Sequence, residues 1–134
     1  MGRLAEDIAA YLEARGVVGG ASGWPVALAF VPPEPDRVVV LTETPGVPPG
    51  GRQLVERPGL QVRVRAAPGA SAACEDRCYA VYRALHVLPT GGHSGADGTR
   101  YLDVLSAQSG AALLGYDARG RPEYAWTFEI WRAA

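Results

Sequence analysis

Glu56-Arg57-Pro58-Gly59-Leu60-Gln61-Val62-Arg63-Val64-Arg65 reads as a turn followed by a strand with strict two-residue alternation. Successive side chains of a strand point to opposite faces, so Leu60, Val62 and Val64 form a core face and Gln61, Arg63 and Arg65 a polar one. Pro58 fixes φ and lacks an N–H, and Gly59 tolerates positive φ, so the pair is expected to start the strand sharply. The polar face carries guanidinium forks, which suit acidic groups of a partner. The plainer reading is a solvated sheet face.

Upstream, Val26-Ala27-Leu28-Ala29-Phe30-Val31 is a short apolar strand that Pro32, Pro33 and Pro35 stop. Residues 37–44 form the next strand. Their continuous β-branched run predicts burial on both faces. The two strands read as neighbours joined by a Pro-rich loop. Residues 45–51, rich in Pro and Gly, are expected to be a long exposed loop, either functional or disordered. At the N-terminal end, residues 4–15 predict an amphipathic helix. Leu4, Ile8, Tyr11 and Leu12 form its stripe, Glu6, Asp7 and Glu13 lie off it, and Gly16 ends it. Residues 19–23 make a glycine-rich turn.

Downstream, residues 67–70 break the chain, and Ser71 is a candidate N-cap for a helix running to about residue 88. Cys74, Cys78, Val81, Leu85 and Leu88 form its apolar stripe. A polar loop over residues 89–98 precedes a strand over 99–107. Residues 108–116 fit no pattern clearly, and 117–122 form a turn. In the last strand, over 123–132, Tyr124, Trp126, Phe128 and Ile130 alternate with Glu123, Thr127 and Glu129. Trp131 breaks the pattern and is a candidate to cover an edge or a partner. The order of elements predicts an α+β fold: a mainly antiparallel sheet of about four to five strands, with two helices packed on one face and long hairpin-type connections.

A length of 134 residues predicts one domain over residues 1–134, long enough to bury a core without staples. The formal net charge of −1 argues against a general nucleic-acid or membrane-surface binder. All 13 basic residues are arginine, so every cation is a fork donor. No apolar run approaches the roughly 18 residues needed to cross a bilayer. Glu6 and Asp7 make the first residues too acidic for a signal peptide, and Glu6 stands where N-myristoylation needs Ser or Thr. Cys74 and Cys78 share one helix face with near-parallel Cβ vectors. They read as buried core thiols rather than a disulfide or half of a zinc site.

Catalytic patterns are missing. Only His86 and His93 are conventional imidazole bases; His86 lies near a helix C-terminus and His93 in a glycine-rich loop. No nucleophile elbow, zinc-protease helix or P-loop occurs, and without lysine no Schiff base forms. The glycine-rich tracts lack the strand–loop–helix setting of a dinucleotide site. Asp103 and Glu129 are a candidate cross-strand acid–base pair, but cross-strand carboxylates are more often matched by arginine, here Arg63, Arg65 or Arg100. Tyr124, Trp126 and Phe128 could stack bases, yet their one-face periodicity places them in a core. No cofactor and no metal site is expected.

The residues resemble the small bacteriophage minor capsid and tail-completion proteins, which include tail terminators of long-tailed phages. The resemblance runs through nearly the whole chain. It rests on Leu4-Ala5-Glu6-Asp7-Ile8 with Tyr11-Leu12, on Val31-Pro32 with Glu34-Pro35-Asp36, and on Leu41-Thr42-Glu43-Thr44 before the Pro/Gly loop. It is strongest over residues 56–65. It continues in Ala80-Val81-Tyr82-Arg83-Ala84-Leu85-His86, in Gly98-Thr99-Arg100-Tyr101, in Gln108-Ser109, and in the stretch from Leu114 through Asp117-Ala118-Arg119-Gly120-Arg121-Pro122 to the final aromatic strand. The tract 19–23 and the loop 89–98 depart from a compact member.

The resemblance implies a structural virion protein without enzymatic activity. It implies a ring, of six copies, that caps the tail tube, ends tube polymerisation and joins the tail to the neck. The implied partners are other copies of the chain, the tail tube protein and a neck or connector protein. DNA passes through without sequence-specific binding, and no membrane is involved. The implied location is the tail–neck junction of the virion, after assembly in the host cytoplasm. The candidate interface residues are Arg52, Arg57, Arg63, Arg65, Pro48, Gly50, His93 and Asp97. The loop over 45–53 is expected to face an axial partner and the loop over 89–98 to order on assembly. Charge reversal at Arg63 or Arg65 is expected to weaken assembly and leave the monomer folded. The competing readings are a head-completion or neck connector protein, the tube protein itself, and a small ligand-binding or enzymatic α+β domain with its pocket near His86 or Asp103.

Overall fold

The structure is a computed structural model that describes residues 3–47, 54–90, 95 and 98–133. In chain order it runs α1 (Leu4–Ala14), a 3-10 turn at Gly20–Ser22, β1 (Val26–Leu28), β2 (Val38–Val47), β3 (Val55–Arg65), α2 (Ser71–His86), β4 (Tyr101–Ser106), β5 (Ala112–Tyr116) and β6 (Pro122–Ala133). The fold is α+β, with one more strand than the upper end of the sequence expectation. The extra strand is β5, in the stretch that fits no pattern. Its exposed Leu113 and Leu114 are consecutive apolar residues, so no alternation marks it.

The strands lie in the order β1-β2-β3-β6-β4, and β5 also pairs with β6. β4 and β5 take successive stretches of the same edge of β6: Ser106 faces Phe128 and Tyr101 faces Arg132, while Ala112 faces Ala125 and Tyr116 faces Pro122. All these pairings are antiparallel except β1 with β2, which is parallel. The hairpin-type link expected between the first two strands is therefore a crossover over residues 29–37. It starts at Ala29, whose φ of 59° turns the chain back immediately after the strand.

Two boundaries also differ from the sequence reading. Pro45, Gly46 and Val47 belong to β2 rather than to a loop, with a register shift between Thr44 and Val47. Pro58 and Gly59 lie inside β3 instead of starting it. Gly59 sits opposite both Thr44 and Glu129. Its use is close approach, not positive φ: a Cβ there would stand 2.2 Å from Thr44 Oγ1, and one on Gly46 would stand 2.1 Å from the Arg57 carbonyl oxygen.

The core lies between the helices and one sheet face. That face is built from Val39 and Leu41 of β2, Leu60, Val62 and Val64 of β3, and Tyr124, Trp126, Phe128 and Ile130 of β6. Each such fully buried large apolar side chain contributes roughly 1.5–3 kcal/mol relative to exposure. Leu4, Ile8, Tyr11 and Leu12 cover it from α1, and Cys74, Cys78, Val81 and Leu85, with Leu88 beyond the helix end, cover it from α2, as their spacing predicts. Tyr82 stacks on Trp126 with ring centroids 4.4 Å apart, and Tyr79 meets the same ring edge-on at 5.0 Å. The Tyr11 hydroxyl donates to the Ala84 carbonyl at 2.6 Å and ties α1 to α2.

Two local expectations need correction. Ser71 is the first residue of α2, not its cap, and its hydroxyl lies 3.1 Å from that of Tyr124. Asp7 is buried and accepts a 2.7 Å hydrogen bond from the Tyr101 hydroxyl. Leu4 and Tyr11 are its i−3 and i+4 neighbours, so helical spacing itself puts Asp7 on the inner side. Gly95 is seated against Asp7: its amide donates to the Thr99 carbonyl at 2.8 Å, and a Cβ there would meet Asp7 Oδ2 at 2.2 Å.

Candidate functional site

Both helices cover one face of the sheet, so the other face carries the residues that can meet a partner. By register it bears Val38, Val40 and Thr42 of β2, Gln61, Arg63 and Arg65 of β3, and Glu123, Ala125, Thr127 and Glu129 of β6. Its two ends are built differently.

At one end, arginines hold the Pro-rich crossover. Arg65 is only 3% exposed. Its Nε donates to the Asp36 carbonyl at 3.0 Å and its Nη2 to the Pro35 carbonyl at 2.7 Å. Burial, and then the charge of Arg121, hold its guanidinium below the usual arginine range. Arg121 is also buried. It donates to Asp117 Oδ2 at 2.7 Å, to the Pro33 carbonyl at 2.7 Å and to Asp36 Oδ1 at 3.3 Å. Arg119 pairs with Glu34, and that hydrogen bond lowers the Glu34 pKa. The neighbouring Val38, Val40 and Ala125 are buried although no helix lies over them. Arg65 is thus a structural ligand of loop carbonyls within its own chain.

Arg63 is intermediate. Its Nε and Nη2 each stand 3.0 Å from Glu123 Oε1 across the strands, yet about a third of its side chain stays exposed. Asp103 and Glu129 do not face each other. Asp103 is opposite Trp131, and Glu129 is opposite Leu105 and Gly59 and accepts from Trp131 Nε1 at 2.6 Å. Neither Arg63 nor Arg65 bonds to them among the described residues; Glu123 takes Arg63 instead.

The other end is the β2–β3 hairpin. The Arg57 guanidinium lies over the Trp131 ring, 5.2 Å from its centroid. The two line a hollow of about 240 Å³ with Val55 and with Leu54, which is 84% exposed. A second hollow of about 360 Å³ lies between Thr44, Val47, Glu56, Arg57, Pro58 and Arg132. Here Arg132 is buried and donates to Glu56 Oε1 at 3.3 Å. Pro48, Gly50 and Arg52 lie outside the described residues, between the two strands of this hairpin, and His93 and Asp97 also lie outside them. Of the expected interface residues, the structure therefore brings Arg57 to the open hairpin end, Arg63 to the middle of the free face and Arg65 beneath the crossover.

Cys74 and Cys78 are free and buried, and burial pushes their thiols up to about 11 and about 12, so they stay neutral near pH 7. His86 is exposed at the end of α2, its ring tilted beside Tyr82 at 6.0 Å. Among the described residues no group of three or more His, Cys, Asp or Glu side chains gathers as metal ligands, and no helix is long and apolar enough to cross a membrane.

Residues 11–132 match the family model described as bacteriophage tail terminator protein. The chain belongs to the bacteriophage tail terminator family. No curated protein matches the sequence closely enough to count as a relative. As a tail terminator family member the protein has a structural role in the phage tail and interacts with other phage structural proteins. The matched region spans β1 to β6, both ends of the helix-free face and the last turn of α1. The terminator-family reading from sequence missed Arg121 and Arg132, which fix the two ends. The signal for Arg121 was a basic turn at Arg119–Arg121 matching the acids Glu34 and Asp36; for Arg132 it was an arginine in register with the apolar residues of β6.

Proposed function

We propose that the chain works as one domain in a ring of six copies at the head-proximal end of the tail, where it ends tube polymerisation and joins the tail to the neck. The observation that carries the reading is the family match over residues 11–132. The sheet supports it with opposite free edges. β1 leads into Phe30, 64% exposed, and β5 carries Leu114 and Tyr116, the latter 61% exposed. Unlike edges joined head to tail close a ring when the rotation divides evenly. Arg57 and the hairpin loop with Pro48, Gly50 and Arg52 face the axial partner, and Arg63, His93 and Asp97 serve contacts between subunits or with the neck. Arg65 acts indirectly by holding the crossover. The role is geometric rather than enzymatic. Several arginines are neutralised inside the chain, so a ring wall of net charge near zero lets DNA pass without holding its phosphates.

Electron microscopy of particles made with and without the gene tests the reading. Overlong, unjoined tails beside filled heads are expected in its absence. Tails of normal length beside unjoined heads would move the protein to the neck, and unchanged particles would remove the structural role.

A further inference from the structure

A cleft of about 410 Å³ opens between the turn before β1, the end of the crossover and one side of α2. Its chemistry-bearing walls are Trp24, Arg37, Asp76, Arg77 and Arg83. The Trp24 ring is gripped by two guanidinium groups, Arg37 at 5.0 Å and Arg77 at 5.2 Å from its centroid. Arg77 Nη1 donates to the Val17 carbonyl at 3.1 Å, while its Nε is buried without a hydrogen-bond partner among the described residues. Burial, and then the charge of Arg37, lower the Arg77 pKa. Among the described residues none of the three arginines forms an ion pair, although Asp76 shares the cleft.

This contrasts with the arginines that hold the sheet and the crossover. Arg63, Arg65, Arg119, Arg121 and Arg132 are all satisfied by carboxylates or carbonyls of their own chain. Here three cations face one acid, two of them crowd a single ring, and a buried donor is left over. Like charges held together are stabilised by an anion between them, and guanidinium forks suit the two oxygens of a carboxylate. A nucleic-acid backbone needs a track of cations along its length, whereas this is one compact cluster in a chain of net charge −1. We propose that the cleft is a binding site for a carboxylate side chain presented by a partner protein, received by Arg37 and Arg83 with Trp24 as its apolar wall. The site is complete in one chain and does not depend on the ring reading.

Hexaglutamate, titrated into the full chain while the Trp24 indole N–H resonance is followed by NMR, tests this. A saturable shift of that resonance is expected, weakened by about tenfold or more when Arg37→Gln and Arg83→Gln remove two forks. Arg83→Gln alone, at an exposed position, serves if the double variant unfolds, and Arg3→Gln is a distant control that should bind normally. Parallel titrations with inorganic phosphate and a short single-stranded oligonucleotide are made at matched ionic strength. No response to hexaglutamate, a stronger response to the oligonucleotide or to phosphate, or equal binding by the Arg83→Gln protein would each overturn the proposal.

Discussion

The two ends of the helix-free sheet face use the same side chain in opposite ways. At the crossover end, Arg65 and Arg121 are buried and spend their donors on Pro33, Pro35, Asp36 and Asp117. At the hairpin end, Arg57 lies on Trp131 beside the exposed Leu54 and Val47. Buried forks that bond carbonyls fix a loop; a fork on a half-covered aromatic ring remains available to another molecule. Residue type and strand face alone do not distinguish them. What covers the face does.

The largest effect that separates the ends is expected from Arg65→Ala. It removes a buried guanidinium and leaves the part-exposed Pro35 and Asp36 carbonyls without their donor, at a cost of about 1–3 kcal/mol in urea denaturation. Charge reversal at Arg65 is therefore expected to act on folding as well as on assembly, because a carboxylate would face the Pro35 and Asp36 carbonyls. A cost below that of an ordinary surface substitution would show that the crossover holds without the arginine.

Gly46→Ala comes next. Its Cβ would meet the Arg57 carbonyl oxygen at 2.1 Å, and backbone cannot swing aside as a side chain can. Forcing the hairpin strands apart is expected to cost about 1–3 kcal/mol by the same assay. An unchanged midpoint would mean that the hairpin end tolerates separation and is looser than its register implies.

The smallest stability effect is expected from Arg57→Glu, within about 1 kcal/mol, since it removes one cation–π contact at a partly exposed site. Its effect on assembly should be the opposite in size. Complementation of a gene-deficient phage with this variant should fail to restore joined particles. Normal particles would place the partner surface elsewhere and leave the contrast between the ends purely architectural.

How much of this was legible in the sequence follows from what periodicity encodes. The inner faces of β3 and β6 were readable because Leu60-Val62-Val64 and Tyr124-Trp126-Phe128-Ile130 alternate with polar residues. The α2 stripe was readable for the same reason at helical spacing. The parallel pairing of β1 and β2 was not, because alternation carries no information about a partner's direction. Pro58 and Gly59 read as a strand start, yet Gly59 serves to admit Thr44 to close range within the ladder. Arg65 read as outward-facing, which its strand position confirms; the crossover that buries it is 30 residues away in sequence. Asp7 read as lying off the stripe, yet it is buried, and the partner that satisfies it, Tyr101, lies 94 residues downstream.

The position of β6 has a consequence for how the chain comes to be folded. Among the described residues it is the last of six strands in chain order, yet it lies between β3 on one side and β4 and β5 on the other. Until the ribosome has released it, β3 keeps an open edge and the aromatic side of α2 has nothing to stack on. Pairing β3 with β6 closes a long loop, which costs entropy before the contacts form, so folding is expected to be slower than that of a chain with local pairings. An open β3 edge on one copy is able in principle to accept β6 of another. Fast completion of the middle of the sheet is thus a requirement of synthesis as much as of the finished protein.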